Sequence, residues 1–158
     1  LILDREGKAI CSALIGQNFT ADKYFWSRPS TTNYSSFADN EKDAKNLGQT
    51  TGISGASNLA PTNPALIDRV RKSIATLKQS GTKPTADLVY TSGSSLDPHI
   101  TPEAAKTQIE RVAKARSIST AQIQSEIDRY TEGRFLNIFG EPGVNVLQLN
   151  IALDKFKA

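Results

Sequence analysis

Two dipeptides, Asn63-Pro64 and Thr101-Pro102, limit the folds open to this chain more than any other feature, because each sets a side-chain oxygen directly ahead of a proline. The oxygen satisfies a free N–H of a helix's first turn, and proline has no N–H to lose there, so both pairs predict helix starts. Behind Pro64, Leu66, Ile67, Val70, Ile74 and Leu77 recur at helical spacing, Arg69, Arg71, Lys72 and Lys78 fall mainly elsewhere, and Gly81 ends the run. Behind Pro102, Ala105, Ile109, Val112 and Ala113 form one face while Lys106, Glu110 and Lys114 form the other. This predicts a surface helix on a core, reaching Arg116. Ile118, Ser119, Gln122 and Ile123 supply a capping box and staple for a further helix that buries Ile123, Ile127 and Tyr130 and closes over Thr131–Arg134, with Gly133 near its C-cap.

Ahead of Thr101, Leu88, Val89 and Tyr90 read as a short strand, and Thr91–His99 as a polar loop released by Gly93, Ser94 and Ser95 and turned by Asp97 and Pro98. A polar loop between a strand end and a helix start is where α/β proteins usually meet ligands and partners. The plainer alternative is that Asp97 and His99 only tie down the turn through nearby backbone. At the N-terminus, Leu1–Asp4 and Ala9–Ile15 read as a hairpin turning at Gly7. Phe19, Tyr24, Phe25 and Trp26 then gather beside Arg28 and Pro29, as a satellite core under a loop or as an interface anchor. Residues 31–53 are polar and aperiodic, which predicts a long surface loop or insertion. Near the end, Gly140–Gly143 is a turn; Val144 and Val146 alternate in one parity and Leu147, Leu149, Ile151 and Leu153 in the other, so either a bulge or a strand passing into a helix follows. The expected fold is therefore α/β (α+β mixed): one compact domain over residues 1–158, a small mixed sheet with about three or four helices packed on it.

Composition narrows the function. A net charge of +3 with acids and bases interspersed gives no footprint for nucleic acid. One cysteine, Cys11, and one histidine, His99, supply neither an internal disulfide nor a metal-ligand cluster. No apolar run in the sequence is long enough to span a bilayer. Asp97, Glu103, Glu132 and Glu141 sit in capping, turn or solvated contexts, and Ser94, Asp97 and His99 lie too close along one loop to serve as a triad, so no catalytic residue is nominated. The small-residue run Ser54–Pro64 is either a capping loop or an anion site, in which Ser54, Gly55, Ser57 and Asn58 would hold a nucleotide phosphate through backbone N–H groups and hydroxyls.

Three segments in order carry a resemblance: Ser12–Ser30 (Leu14 to Phe19, Tyr24, Phe25 and Arg28 to Ser30), SGSSLDPHITPEAA with RVAKAR, and TEGRFLNIFGEPGVNVLQLNIALD from Thr131 to Asp154. Together they resemble the C subunit of the bacterial Kdp potassium-transporting ATPase. That resemblance implies an accessory, non-catalytic subunit of an ATP-driven potassium importer, whose partners are a potassium-channel-like subunit and a P-type ATPase subunit. Its implied role is to stabilise the complex or to raise the ATPase subunit's affinity for ATP as a catalytic chaperone, with ATP met through the complex and no tightly bound cofactor or metal. It places Gln17, Phe25, Arg28, Pro29, Asn58, Pro61, Thr62, Asn63, Pro64, Asp97, Pro98 and His99 in family motifs or at the partner interface. Relatives carry one transmembrane helix ahead of the matching region, and a chain opening on Leu1-Ile2-Leu3 with no methionine is expected to be a fragment that lacks it. The implied location is the bacterial inner membrane, single-pass, with the soluble domain extracytoplasmic and the Ser54–Pro64 loop far from cytosolic ATP. Relatives usually read SGGSNLGPTNP at that loop, so Ala56 and Ala60 replace two glycines and weaken a close backbone approach to phosphate. Cys11 also stands where relatives are expected to have glycine, and residues 31–53 are longer than in typical relatives.

Overall fold

The computed structural model describes residues 1–3, 6–7, 9–35 and 53–156, with backbone alone at 3, 9 and 10. The two cap-proline pairs behave as expected. Asn63 Oδ1 accepts from the Ala65 N–H at 2.9 Å to open α1 (Pro64–Gln79), and Thr101 Oγ1 accepts from the Ala104 N–H at 3.2 Å to open α3 (Pro102–Lys106). Past the end of α1, Gly81 takes φ +75°, a conformation that favours glycine.

The single helix expected over 102–116 is instead two, α3 and α4 (Ile109–Arg116), broken at Thr107–Gln108. The reason lies in Gln108, whose fully buried amide turns inward and bonds the backbone of Trp26 on both sides, accepting from its N–H at 2.7 Å and donating to its carbonyl at 3.1 Å. The strand expected at Leu88–Tyr90 is one turn of helix, α2 (Ala86–Val89). Asp87 in the first turn is a helix-start acid that the apolar triplet obscured, and the helical turn buries Leu88 and Val89 together, which a strand would have sent to opposite faces.

The strand that does precede α3 is β3 (His99–Ile100). It lies at one edge of an antiparallel sheet with strand order β3-β5-β4, in which β5 is Gly143–Asn145 and β4 is Thr131–Glu132. Thr131 and Glu132 are thus an edge strand rather than a helix end; α5 (Thr120–Arg129) stops at Tyr130, behind the Ser119–Gln122 capping box. The parity change near the C-terminus is a strand running directly into a helix: β5 passes at Asn145, whose Oδ1 caps it, into α6 (Val146–Leu153). At the other end β1 (Ile2–Leu3) and β2 (Ala9–Cys11) pair antiparallel around Gly7 at φ +82°.

Phe25, Leu77, Leu88, Val89, Ile100, Val112, Ile123, Ile127, Val144, Val146, Leu149 and Leu153 share one buried cluster, so helices and sheet close on a single core in a mixed α/β arrangement. Among the described residues no helix is long and apolar enough to cross a membrane. The irregular segment 17–34 lies over this core. Phe25 fills it, and Asn150 from α6 bonds the Phe25 backbone at both ends, at 2.8 and 2.9 Å.

Candidate functional site: a junction of three polar loops

Segments far apart in sequence converge where 28–34, 54–58 and 91–99 meet. The Ser95 carbonyl accepts from Ser30 Oγ at 2.7 Å, and the Ser95 hydroxyl lies 2.7 Å from Thr31 Oγ1, which also reaches the Gly55 carbonyl at 3.0 Å. Gly55 N–H and Ser54 Oγ both donate to the Ser94 carbonyl, at 3.1 and 3.3 Å. Gly16 lets the fourth wall close: its N–H donates to the Leu96 carbonyl at 2.8 Å, and a Cβ there would stand 2.7 Å from Tyr34 Cδ1 and 3.2 Å from the Asp97 carbonyl. Tyr34 lies in the stretch expected to be surface loop. Instead it is buried, its hydroxyl donates to the Arg28 carbonyl, and burial pushes its pKa up to about 12. Thr31–Ser35 therefore belong to the fold, while the rest of the expected insertion, 36–52, lies outside the described residues.

Charge enters at the sheet side. β3 and β4 flank β5, so His99 and Glu132 come within reach across the Gly143 position, where no side chain intervenes. His99 Nδ1 lies 3.2 Å from Asp97 Oδ1, and Nε2 lies 3.3 Å from Glu132 Oε2, within ion-pair distance but off the hydrogen-bonding direction. Asp97 Oδ1 also accepts from the His99 backbone N–H at 3.0 Å. The Asp97 hydrogen bond, aided by Glu132, raises the His99 pKa above its ordinary value despite burial, and the same bond holds the Asp97 carboxyl below the usual range. Arg28 sits between two carboxylates, 3.9 Å from both Asp87 and Asp97, and donates to the Thr91 carbonyl at 3.2 Å. Asp87 in turn accepts from the Thr101 N–H at 2.7 Å, tying α2 to the start of α3.

Of the residues singled out from sequence, Arg28, Ser54, Gly55, Asp97 and His99 are brought into this junction; Pro98 is buried beneath it, its carbonyl accepting from the Val146 N–H at 3.0 Å. Pro29 walls an open cleft of about 270 Å³ with Phe19, Trp26, Arg28 and Tyr34. Ser57 and Asn58 continue the 54–58 loop outward, Asn58 at φ +50° and Ser57 3.4 Å from Arg69 Nη2. Pro61 and Thr62 are exposed on the approach to α1, and Asn63 and Pro64 serve as its cap and first residue. Gln17 is exposed, its carbonyl accepting from Ser27 Oγ at 3.3 Å. Phe25 must be corrected as an interface residue, because it is fully buried and offers a partner no surface.

Sequence reading missed Asp87, Tyr34, Ser30, Thr31 and Ser95, whose roles depend on contacts between distant loops; only Asp87, as a helix-start acid, left a local signal. Chemically most of the junction's polar groups are bonded within it, while Arg28 Nε and His99 Nε2 are buried without a hydrogen-bond partner. Ser94 Oγ accepts from the Leu96 N–H at 3.1 Å, and both ring nitrogens of His99 face carboxylates, so no nitrogen is turned to a hydroxyl as a base. Among the described residues no group of three His, Cys, Asp or Glu side chains is placed to hold a metal ion.

Comparison with known proteins accounts for these segments. The family described as K+-transporting ATPase, c chain, matches residues 1–155. The chain is 60% identical over 158 residues to the potassium-transporting ATPase KdpC subunit 1 of a Nostoc species, covering 99% of this chain and 77% of that protein. It is 58% identical to the KdpC subunit of a Synechocystis species (98% and 77% covered) and 50% identical to that of Paraburkholderia phytofirmans (99% and 77% covered). A match over nearly the whole length, at such identity, makes this chain a member of the family of K+-transporting ATPase c chains.

Proposed function

We propose that this chain is a non-catalytic accessory subunit of an ATP-driven potassium importer, acting on the pump's assembly through the junction of 28–34, 54–58 and 91–99. The observation that carries the reading is the cross-linking of three distant loops at that junction: the hydroxyls of Ser30, Thr31, Ser94 and Ser95 are bonded within it and Asp97 holds His99, which suits a rigid recognition surface and turns no hydroxyl to the imidazole. The partners proposed are the potassium-channel-like and P-type ATPase subunits of the complex. The location proposed is the bacterial inner membrane, reached through a helix outside this sequence, with the present domain on the extracytoplasmic side. The test is His99→Ala in the full-length protein of a host that depends on this importer. Co-purification with the other subunits, or potassium uptake, is expected to fall while the domain stays folded; unchanged assembly and uptake would remove the junction from partner recognition.

A catalytic-chaperone role that raises ATP affinity is a second reading, and one observation favours it. The Ser54–Asn58 loop has no cation of its own, and the fold sets Arg69 beside Ser57. Against it, the Gly55 N–H and the Ser54 hydroxyl are already spent on the Ser94 carbonyl. Calorimetric titration of the domain with ATP is expected to show no specific binding; saturable binding lost in both Asn58→Ala and Arg69→Ala would establish the chaperone reading instead.

A further inference from the structure

Between β4 and β5 the chain leaves the body of the protein as a small hairpin. Arg134 Nη2 reaches both carboxylate oxygens of Glu141, at 3.0 and 2.8 Å, and clamps its base. Phe135 and Phe139 exchange backbone hydrogen bonds at 2.8 and 2.9 Å, and Ile138 N–H donates to the Phe135 carbonyl at 3.1 Å across a turn whose central residues, Leu136 and Asn137, have φ +53° and +59°. This is a type I′ turn, which asparagine or glycine adopts readily and leucine does not. Its side chains are also in the wrong place for a folded monomer. Phe135, Leu136, Ile138 and Phe139 are 72%, 68%, 68% and 62% exposed, and they are four of the ten large exposed hydrophobics among the described residues, the other six being spread over the chain. Single exposed apolar residues are ordinary; four on one protruding turn, one of them held against its backbone preference, are not.

Charge and size limit what covers this tip. From Glu126 to Asn145 the chain carries Glu126, Asp128, Glu132 and Glu141 against Arg129 and Arg134, with no lysine, so the stretch flanking the tip is net acidic and lacks the basic excess that seats an apolar loop on an anionic bilayer. Four side chains also fall far short of the roughly 800 Å² per partner of a self-standing interface, which argues against a free dimer of this chain. So small a contact is effective where other contacts already hold both partners together and raise their effective concentration. Resting on the accessory-subunit reading above, we propose that the 135–139 tip is a docking knob that inserts into an apolar socket on another subunit of the same pump.

The test co-expresses the full-length protein with the other subunits of its potassium-transporting ATPase and purifies through a tag on the ATPase subunit. Leu136→Gly removes the apolar tip residue and relieves the left-handed strain, so the variant is expected to melt no lower than wild type yet to co-purify about tenfold less, as loss of a central apolar anchor does. The double variant Phe135→Ser/Phe139→Ser should behave alike, while Asn137→Gly, which keeps the apolar tip, should co-purify as wild type does. Folded tip variants that co-purify at wild-type yield overturn the knob and leave the accessory-subunit reading standing; failure of the wild-type protein to co-purify overturns both. Tip-dependent sedimentation with phosphatidylcholine or phosphatidylserine vesicles, or a tip-dependent dimer in sedimentation velocity, would reassign the tip to lipid or to a second copy and overturn the proposal.

Discussion

The irregular segment over the core is held in two different ways along its length. Residues 22–27 are pinned from below by buried polar side chains of the helices: Gln108 bonds both sides of the Trp26 backbone, Asn150 both sides of Phe25, and Arg111 donates to the carbonyls of Asp22 at 2.6 Å and Tyr24 at 2.9 Å. Residues 28–34 are pinned from the side by part-buried hydroxyls and partly exposed ion pairs of neighbouring loops. A buried amide or guanidinium facing two backbone groups leaves both stranded when it is lost, whereas a part-buried hydroxyl or partly exposed ion pair near the surface is more readily replaced by water. The first half is therefore a structural foundation, and the second presents polar groups that a partner can meet.

The contrast is broken most severely at Arg111. Its guanidinium also bonds Gln108 at 2.7 Å and Thr82 at 3.3 Å and stacks 4.0 Å from the centre of the Trp26 ring, while burial lowers its pKa to about 10, still charged at neutral pH. Arg111→Met is expected to destabilise the domain by about 2 to 5 kcal/mol as read from urea unfolding, since several buried neutral acceptors lose a charged donor at about 1 to 3 kcal/mol each. A loss below 1 kcal/mol would show that water enters and that the foundation is no different from the junction.

Gly16 walls the junction against Tyr34 and Leu96, and its test is intermediate. Gly16→Ala drives a Cβ into the buried Tyr34 ring and is expected to cost about 1 to 3 kcal/mol, the usual toll of overpacking, with Tyr34 displaced from the Arg28 carbonyl. Tyrosine fluorescence and the melting temperature together report it; an unchanged melt would mean that Tyr34 moves freely.

The smallest effect belongs to the junction. His99 has a raised pKa in the folded state, so its contribution is complete below the unfolded value of about 6.5 and is lost as pH rises through the folded value. Asp97 has a depressed pKa, so its contribution is present above about 3.9 and is lost as pH falls through the folded value. The pair is therefore at full strength between about pH 4 and 6.5. His99→Gln should lower stability by only about 1 kcal/mol, given the partial exposure of all three groups, and the gap from wild type should be widest in that window and narrow toward alkali. A gap that does not vary with pH would assign His99 a packing role alone.

These differences track what local chemistry can encode. Both proline-marked helix starts, the Ser119–Gln122 capping box, the hairpin at Gly7 and the family motifs were legible, because caps, turns and periodicity involve residues a few positions apart. Leu88–Tyr90 was misread because three apolar residues have no period to distinguish strand from helix, and only packing against α3 and the core settled it. Gln108 and Arg111 carried no signal in the sequence, since nothing local shows that the backbone of Trp26 or Asp22 will be waiting for them. Likewise the sequence marked Arg28, Asp97 and His99 as motif residues but was silent on Glu132, Tyr34 and Gly16 as their neighbours, because strand order and register decide which loops touch. By itself the sequence determined where α1, α3 and α5 begin and to which family the chain belongs. Tertiary structure alone decided which polar groups are buried, which are paired and that four apolar side chains gather outside on the 135–139 tip, since burial and pairing arise only when distant segments share one core.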